Sequence, residues 1–547
     1  TLNLNNTELG FINAASNNFA SIVIGDAING TGAINYKPGS TIIYGSNFTL
    51  QQKSTGAGIS LGNSITTSGN QTYTGAVSLT TDVTLTSTSN GTVLFSSTID
   101  NASATPRALT ISTGSGNVTI TGAVGSGANG ALGAITINST GATAFSSSVA
   151  ADSVTTNVGG TVSLGSNVTT SGAQIYNEAM SLTGNVILNA PSITTVSTIA
   201  AGSNNLTITT DALSLGSNIT GTGALVIQPK TNSTTVAIGS SATGTLALSD
   251  TALTYINDAF SSITIGSTTG TAAIGIDYAA ASFTFSNPLV LRSNSGNIAA
   301  VDTLRTGSNG LTITTGGTVN LVGVISGALS VTGSAITLNN DITTSGSQSY
   351  TGPATLTANL TLDSTANSSN GAVSFSSTVN SANSTARNLN VAAGSGNVTF
   401  TGAIGNTYAL GAIAIDSTGT ATFGSTVNAA SLTTNTGGTT SLGGNVTTTG
   451  AQTYNDAMVL ASDVSLDASA ITTVNTIAAG NYNLSLITDA LALGAAVNGG
   501  TGTVTIKPHT ASTTIGVGDL SVGALNLSNA ELGYINIAGN NFASIVI

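Results

Sequence analysis

Short apolar pairs split by one polar residue recur along the whole chain, as in Leu109-Thr110-Ile111, Val118-Thr119-Ile120, Ile135-Thr136-Ile137 and Val162-Ser163-Leu164. A period of two sends alternate side chains to opposite faces of a strand. Each strand therefore offers two or three apolar residues to a core, too few to stand alone, and runs at once into a polar corner of Gly, Ser, Asn or Thr. Stacking successive coils would join these pairs into one interior and pair each strand with those above and below. The pattern predicts an all-β chain folded as a parallel β-helix, or β-solenoid. No amphipathic 3.6-residue stripe is visible, and few Glu, Lys or Arg are present to cover a helix, so no helix is expected. The Asn-Gly pairs beginning at Asn29, Asn90, Asn129, Asn309, Asn370 and Asn498 are expected to give corners their left-handed backbone angles. The alternative is a row of antiparallel β-sandwich domains. Sandwiches use longer strands, about 5–6 residues, and a larger aromatic core, so the pattern favours the solenoid.

Long repeats overlie the short pattern. LNLNNTELGFINAASNNFASIVI at Leu2 returns as LNLSNAELGYINIAGNNFASIVI at Leu525, with a more diverged copy, LALSDTALTYINDAFSSITI, from Leu246. Two units of 1–244 and 245–523 follow, with 524–547 opening a third. GSGNVTITGAVG at Gly114 matches GSGNVTFTGAIG at Gly394, and TDALSLG at Thr210 matches TDALALG at Thr488, with an offset near 278. The first unit is the shorter copy, and the second is expected to insert coils around 275–335. A finer echo places Tyr73, Tyr176, Tyr350 and Tyr454 in variants of TTSGxQxY. A break in mid-repeat suggests a segment of a longer tandem array.

Composition narrows the function. Charged residues are 5% and aromatics 4% of 547 residues, against roughly a quarter charged in an ordinary soluble domain. Disorder is disfavoured because 40% of residues are hydrophobic and spread evenly. No apolar run approaches the roughly 18 residues of a membrane span. Eight Lys plus Arg give no basic stripe, so no nucleic-acid partner is expected. With no Cys, disulfides and thiolate metal sites are excluded.

Candidate chemistry is sparse. The single histidine, His509, lies in IKPHTASTT, whose counterpart IQPKTNSTT has lysine instead, which argues against a required base. Asp463 and Asp467, four apart on a strand, would lie about 13 Å apart on one face, beyond the roughly 5–9.5 Å carboxyl separations of glycosidases. Their counterparts in the first unit are not acids. Asp26 and Asp416 are isolated acids that could join backbone carbonyls around calcium, although no recognised calcium loop is present. Arg107 and Arg387 occupy matching places and are expected to bridge to neighbouring backbone or another chain rather than to bind phosphate. The four repeated Tyr residues read as core or corner packing, with an aromatic sugar platform as the alternative. No catalytic, cofactor-binding or metal-binding residue is assigned, and no cofactor is expected.

The runs TTGAQTYNDA, SLGGNVTTTG and LSNAELGYIN resemble those of giant filamentous-haemagglutinin-like exoproteins. That resemblance spans essentially the whole chain and implies a right-handed β-helix, export to a bacterial cell surface, and a place in surface filaments, adhesion or aggregation. The expected function is a structural repeat segment of a secreted fibre, not an enzyme. Like chains, associating laterally or end to end, are the expected partners, together with cell-surface glycans. The alternatives are a passive adhesin stalk and, least favoured, a polysaccharide-active β-helix enzyme.

Overall fold

A computed structural model of the chain describes residues 4–12, 19–53, 55–256, 259–279, 283–535 and 542–547. It divides into two compact units, Thr1–Gly270 and Thr271–Ile547. That boundary falls downstream of 244/245 because Ser262–Ser267 still pairs in parallel with the coil at Ala224–Gln228, with Leu225 opposite Ile263.

In the first unit one coil runs through strands Asn47–Gln52, Ile59–Leu61 and Ile65–Thr67, and the next through Gln71–Thr74, Val77–Leu79 and Val83–Ser87. Each strand lies in parallel beside its counterpart one coil away: Leu50 opposite Tyr73, Ile59 opposite Val77, Ile65 opposite Leu85. Three sheets thus wrap each coil, and the chain turns a corner between them. The second unit repeats the scheme. Leu329–Thr332, Ala335–Leu338 and Ile342–Thr344 are followed by Gln348–Thr351, Ala354–Leu356 and Leu360–Asp363, again in parallel register. Among the described residues every strand pairing has this sense, and the antiparallel sandwich is ruled out.

Alternation explains the core directly. Leu109 and Ile111 are buried while Thr110 between them is half-exposed, and Val118-Thr119-Ile120 behaves identically. Aromatic residues meet across coils: Tyr350, Phe375, Phe400 and Phe423 stack with centroid separations of 4.5, 5.3 and 5.6 Å. Offset stacking of this kind adds to the area each ring removes from water.

Corners follow the expectation only in part. Among the described Asn-Gly pairs, Asn90 (φ 61°) and Gly130 (φ 81°) take left-handed angles. Asn129, Asn309 and Asn370 serve through their side-chain amides. Asn129 Nδ2 donates to the Asn101 carbonyl at 2.8 Å, Asn309 Nδ2 to the Ser286 carbonyl at 2.9 Å, and Asn370 Oδ1 accepts the Ser395 N–H at 3.0 Å. Each contact spans about one coil of chain, so the amide ties one corner to the next. Glycine acts sterically at one recurrent corner. A Cβ on Gly116 would overlap the Gly91 carbonyl, and one on Gly396 the Gly371 carbonyl, so only hydrogen fits where these corners stack.

Helices are the second correction. Among the described residues three seven-residue helices occur, α1 (Asn6–Ile12), α2 (Asp250–Ile256) and α3 (Asn529–Ile535), each inside a copy of the LxL…ELGYIN motif. Two begin with a capping box. Asn5 Oδ1 accepts the Glu8 N–H while Glu8 Oε2 accepts the Asn5 N–H, and Ser528 and Glu531 make the same exchange. The signature S/T/N-x-x-E was present in the sequence and marks a helix start. It was masked because seven residues are too few for a visible 3.6 period. No helix among the described residues is long and apolar enough to cross a membrane.

Candidate functional site

The side chains singled out from the sequence are almost all engaged in holding one coil to another. The TTSGxQxY motif shows the arrangement most fully. Thr67 Oγ1 donates to the Gly69 carbonyl at 2.6 Å and closes the corner. Gln71 then turns inward, and its Nε2 donates to the Thr86 carbonyl of its own coil at 2.9 Å and to the Ile65 carbonyl of the preceding coil at 3.3 Å. The Tyr73 hydroxyl donates to Gln71 Oε1 at 2.8 Å. Thr344, Gln348 and Tyr350 reproduce this set, with Gln348 Nε2 reaching the Asp363 carbonyl at 3.0 Å. Gln174 with Tyr176 and Gln452 with Tyr454 complete the four copies. All four Tyr are fully buried, which excludes the sugar-platform alternative. Burial pushes their phenols well above the usual tyrosine range, so they remain neutral donors.

His509 and its repeat partner occupy one structural place. His509 Nδ1 lies 2.5 Å from Asp467 Oδ1, 42 residues back. In the first unit Lys230 Nζ donates to Asn189 Oδ1 at 2.8 Å, 41 residues back. A nitrogen-bearing side chain at this corner thus reaches two coils away to an Asx oxygen in both units, with the pair His–Asp in one and Lys–Asn in the other. The requirement met is a donor facing an acceptor, which lysine with asparagine satisfies without a base. Beside each pair a carboxylate fastens the corner. Asp211 accepts the Lys230 and Thr231 N–H groups and the hydroxyls of Thr231 and Thr234, and Asp489 accepts the Thr510 N–H and hydroxyl. Those Thr510 bonds hold the Asp489 carboxyl down at about 2. Partial burial works against ionisation of Asp211, yet its hydrogen bonds outweigh that and keep it below the usual carboxylate range.

The remaining acids are also engaged. Asp463 sits at the corner before strand Val464–Ala468 and accepts the Asn483 N–H at 2.9 Å; Asp467 lies within the strand and turns to His509. Nothing brings the two carboxyls to a common site. In the first unit Asn185 Oδ1 accepts the Asn205 N–H in place of Asp463, so an amide oxygen suffices there. Asp26 caps its own turn through the N–H groups of Ile28 and Asn29, and Asp416 accepts Asn435 Nδ2 at 2.8 Å. The backbones of Arg107 and Arg387 bridge coils, each carbonyl accepting at 2.8 Å from Gly133 and Gly411 respectively. Among the described residues no group of three His, Cys, Asp or Glu side chains could hold a metal ion.

A shallow groove of about 430 Å³ opens on the second unit, lined by Asp341, Asn359, Thr361, Asn388, Asn390 and Ala414 among others. Three of its side-chain oxygens are already committed: Asp341 Oδ1, Asn359 Oδ1 and Asn388 Oδ1 accept N–H groups of Thr361, Asn388 and Ala412 on successive coils. It holds no nucleophile paired with a base.

No family model, curated protein or solved structure matches the chain. Its functional reading therefore rests on its own residues.

Two features escaped sequence reasoning. Glu178 and Asp456 are buried acids at equivalent positions, in YNEAM and YNDAM, and the recurrence of an acid between a motif Tyr and a buried Met was the available signal. The helix-bearing motif was read only as a repeat marker, although its capping boxes were legible.

Proposed function

We propose that this chain is a structural repeat segment of an extracellular bacterial surface fibre, serving adhesion, aggregation or a sheath by mechanical persistence and by association with like chains. One observation carries the reading. In four copies of the Thr–Gln–Tyr arrangement, two in each unit, the buried Gln amide donates both to a carbonyl of its own coil and to one of the preceding coil, joining one coil to the next inside the fold. A reactive site would instead hold polar groups unspent at a surface where a substrate could reach them. Here Asp416, Asp463, Asp467 and His509 are taken up as inter-coil fasteners and Asp26 as the cap of its own turn, and the outward strand positions are mainly uncharged hydroxyls and amides. Such a skin solubilises the faces while presenting repeated hydrogen-bonding groups, which suits contact between like chains and with neutral glycans.

The reading is tested by duplicating residues 245–523 within the gene in its native cell and measuring surface fibres by electron microscopy. Fibres lengthened by a constant increment support it. Surface fibres of unchanged length, with the longer protein present at the surface, would overturn it.

A further inference from the structure

We infer that Glu178 and Asp456 are proton-operated fasteners of the stacked glycine corners, tightening each unit in mild acid and loosening the same corner as the solution approaches neutrality. This goes beyond the fibre reading and does not depend on it.

The inference starts from position. Each acid follows the corner after a motif tyrosine, at Tyr176-Asn177-Glu178 and Tyr454-Asn455-Asp456, and precedes a strand whose Met180 or Met458 enters the core. An acid here would ordinarily face solvent. Instead Glu178 is 3% and Asp456 1% exposed. Both carboxyls fold back onto the glycine corner one coil below. A Cβ on Gly160 would lie 2.6 Å from Glu178 Oε2, so this glycine leaves the space that the carboxyl fills. At the second site the carboxyl is held by hydrogen bonds instead, the Gly438 N–H donating to Asp456 Oδ1 at 2.7 Å and the Thr440 hydroxyl to Oδ2 at 3.3 Å.

The surroundings supply no countercharge. The groups facing Glu178 are the Thr156 hydroxyl and the Gly160 N–H, neither of which closes a hydrogen bond of ordinary geometry with it. Those facing Asp456 are Gly438 and Thr440. No Lys, Arg, His or second carboxylate contributes at either site. Burying an ionised carboxylate without a partner is strongly unfavourable, and such a group neutralises instead. Burial accordingly pushes Glu178 up to about 7, against weaker opposing contributions from Thr156 and Gly160, and it raises Asp456 in the same way.

The sign follows from linkage. The folded-state value lies above the ordinary one, so the folded chain holds the proton more tightly than the unfolded chain. The stabilisation is fully present below the ordinary values of 4.5 for Glu178 and 3.8 for Asp456. For Glu178 it is lost as pH rises from 4.5 through about 7 and is flat above that. Ionisation would expel the carboxylate from the corner and break the packing over Gly160 or Gly438.

Two measurements on the full chain test this. Only three glutamates are present, Glu8, Glu178 and Glu531, so carboxyl-labelled glutamate gives three resolvable carbon signals. One should titrate near 7 and move to the ordinary range when the chain is unfolded; three signals titrating near 4.5 in the folded chain would overturn the inference. Hydrogen exchange over 160–165, corrected for intrinsic chemistry, should show local opening rising tenfold or more, an order-of-magnitude expectation from linkage, between pH 4.5 and 7.5, and exchange over 438–443 should rise with pH in the same direction. Glu178→Gln should flatten the first profile and leave the second, and Asp456→Asn should do the reverse. A response that survives in its own variant, or a flat profile in the unsubstituted chain, would reject the assignment. Should a variant fail to fold, the glutamate titration of the unsubstituted chain still decides for Glu178, and its exchange profile over 438–443 for Asp456.

Discussion

Gln348 illustrates how one polar residue can be placed in an apolar interior. Its amide is buried but bonded on both ends, donating to the Asp363 carbonyl and accepting from Tyr350. Gln348→Leu would keep the volume and leave both partners unpaired. Buried unsatisfied polar groups cost about 1–3 kcal/mol each, so urea denaturation should show a loss of that order in the transition of the second unit. Gly371 makes the steric counterpart. An added Cβ would overlap the Gly346 carbonyl, a backbone atom that cannot swing away. Gly371→Ala should destabilise by about 1–3 kcal/mol, the usual range for overpacking. Gly275→Ala, where nothing lies within 4 Å of the added atom, should have little effect and serves as the control. Both comparisons are read from denaturation midpoints of the same preparation.

The short elements show where sequence reasoning succeeds and where it stops. Strands of three or four residues were legible because burial follows period two without exception in segments such as Val93–Phe95 and Val373–Phe375. Their parallel stacking was legible because such strands have no other way to complete a core. The helices were not, since α3 has seven residues and its start is written in two polar side chains rather than in a stripe. Ser528→Ala removes the acceptor for the Glu531 N–H and should cost about 1 kcal/mol, the typical value for a lost N-cap. Amide exchange within α3 reports it. Corner acids were legible as acids but not as fasteners, because the partner lies a coil or two away. Asp489 contributes stability that is present above its ordinary value of 3.8 and lost as pH falls towards about 2. Asp489→Asn should therefore blunt the acid limb of the stability profile while leaving the limb above pH 4.5, assigned to Glu178, unchanged.

At the scale of the whole molecule the two units obey one building rule, each coil being supported by the coils on either side. The rule allows chain to be removed only in whole coils. Met180 lies opposite Ile199, Val186 opposite Leu206 and Ile193 opposite Leu213, a spacing of 19 to 20 residues. Deleting 180–198 should give a folded first unit of slightly lower stability, with its circular-dichroism spectrum retained. Deleting 180–189 would set corner residues where strands must pair, and should unfold the neighbouring coils. The repeats matter for the same reason: they preserve the inter-coil fasteners, Lys–Asn in one unit and His–Asp in the other, while the residues themselves change.

Parallel stacking in register is the claim on which the rest depends, and a chain without cysteine allows it to be tested cleanly. Ser374 lies opposite Thr399 on the next coil, and Thr399 opposite Thr422 on the one after. Adjacent strands stand about 4.8 Å apart, within the roughly 4.4–6.8 Å Cα separation that a disulfide spans. Under mild oxidation the pair Ser374→Cys with Thr399→Cys should cross-link within one chain, and so should Thr399→Cys with Thr422→Cys. Ser374→Cys with Thr422→Cys, two coils apart, should not. Failure of both neighbouring pairs, or efficient cross-linking of the distant pair, would contradict the stacked-coil account.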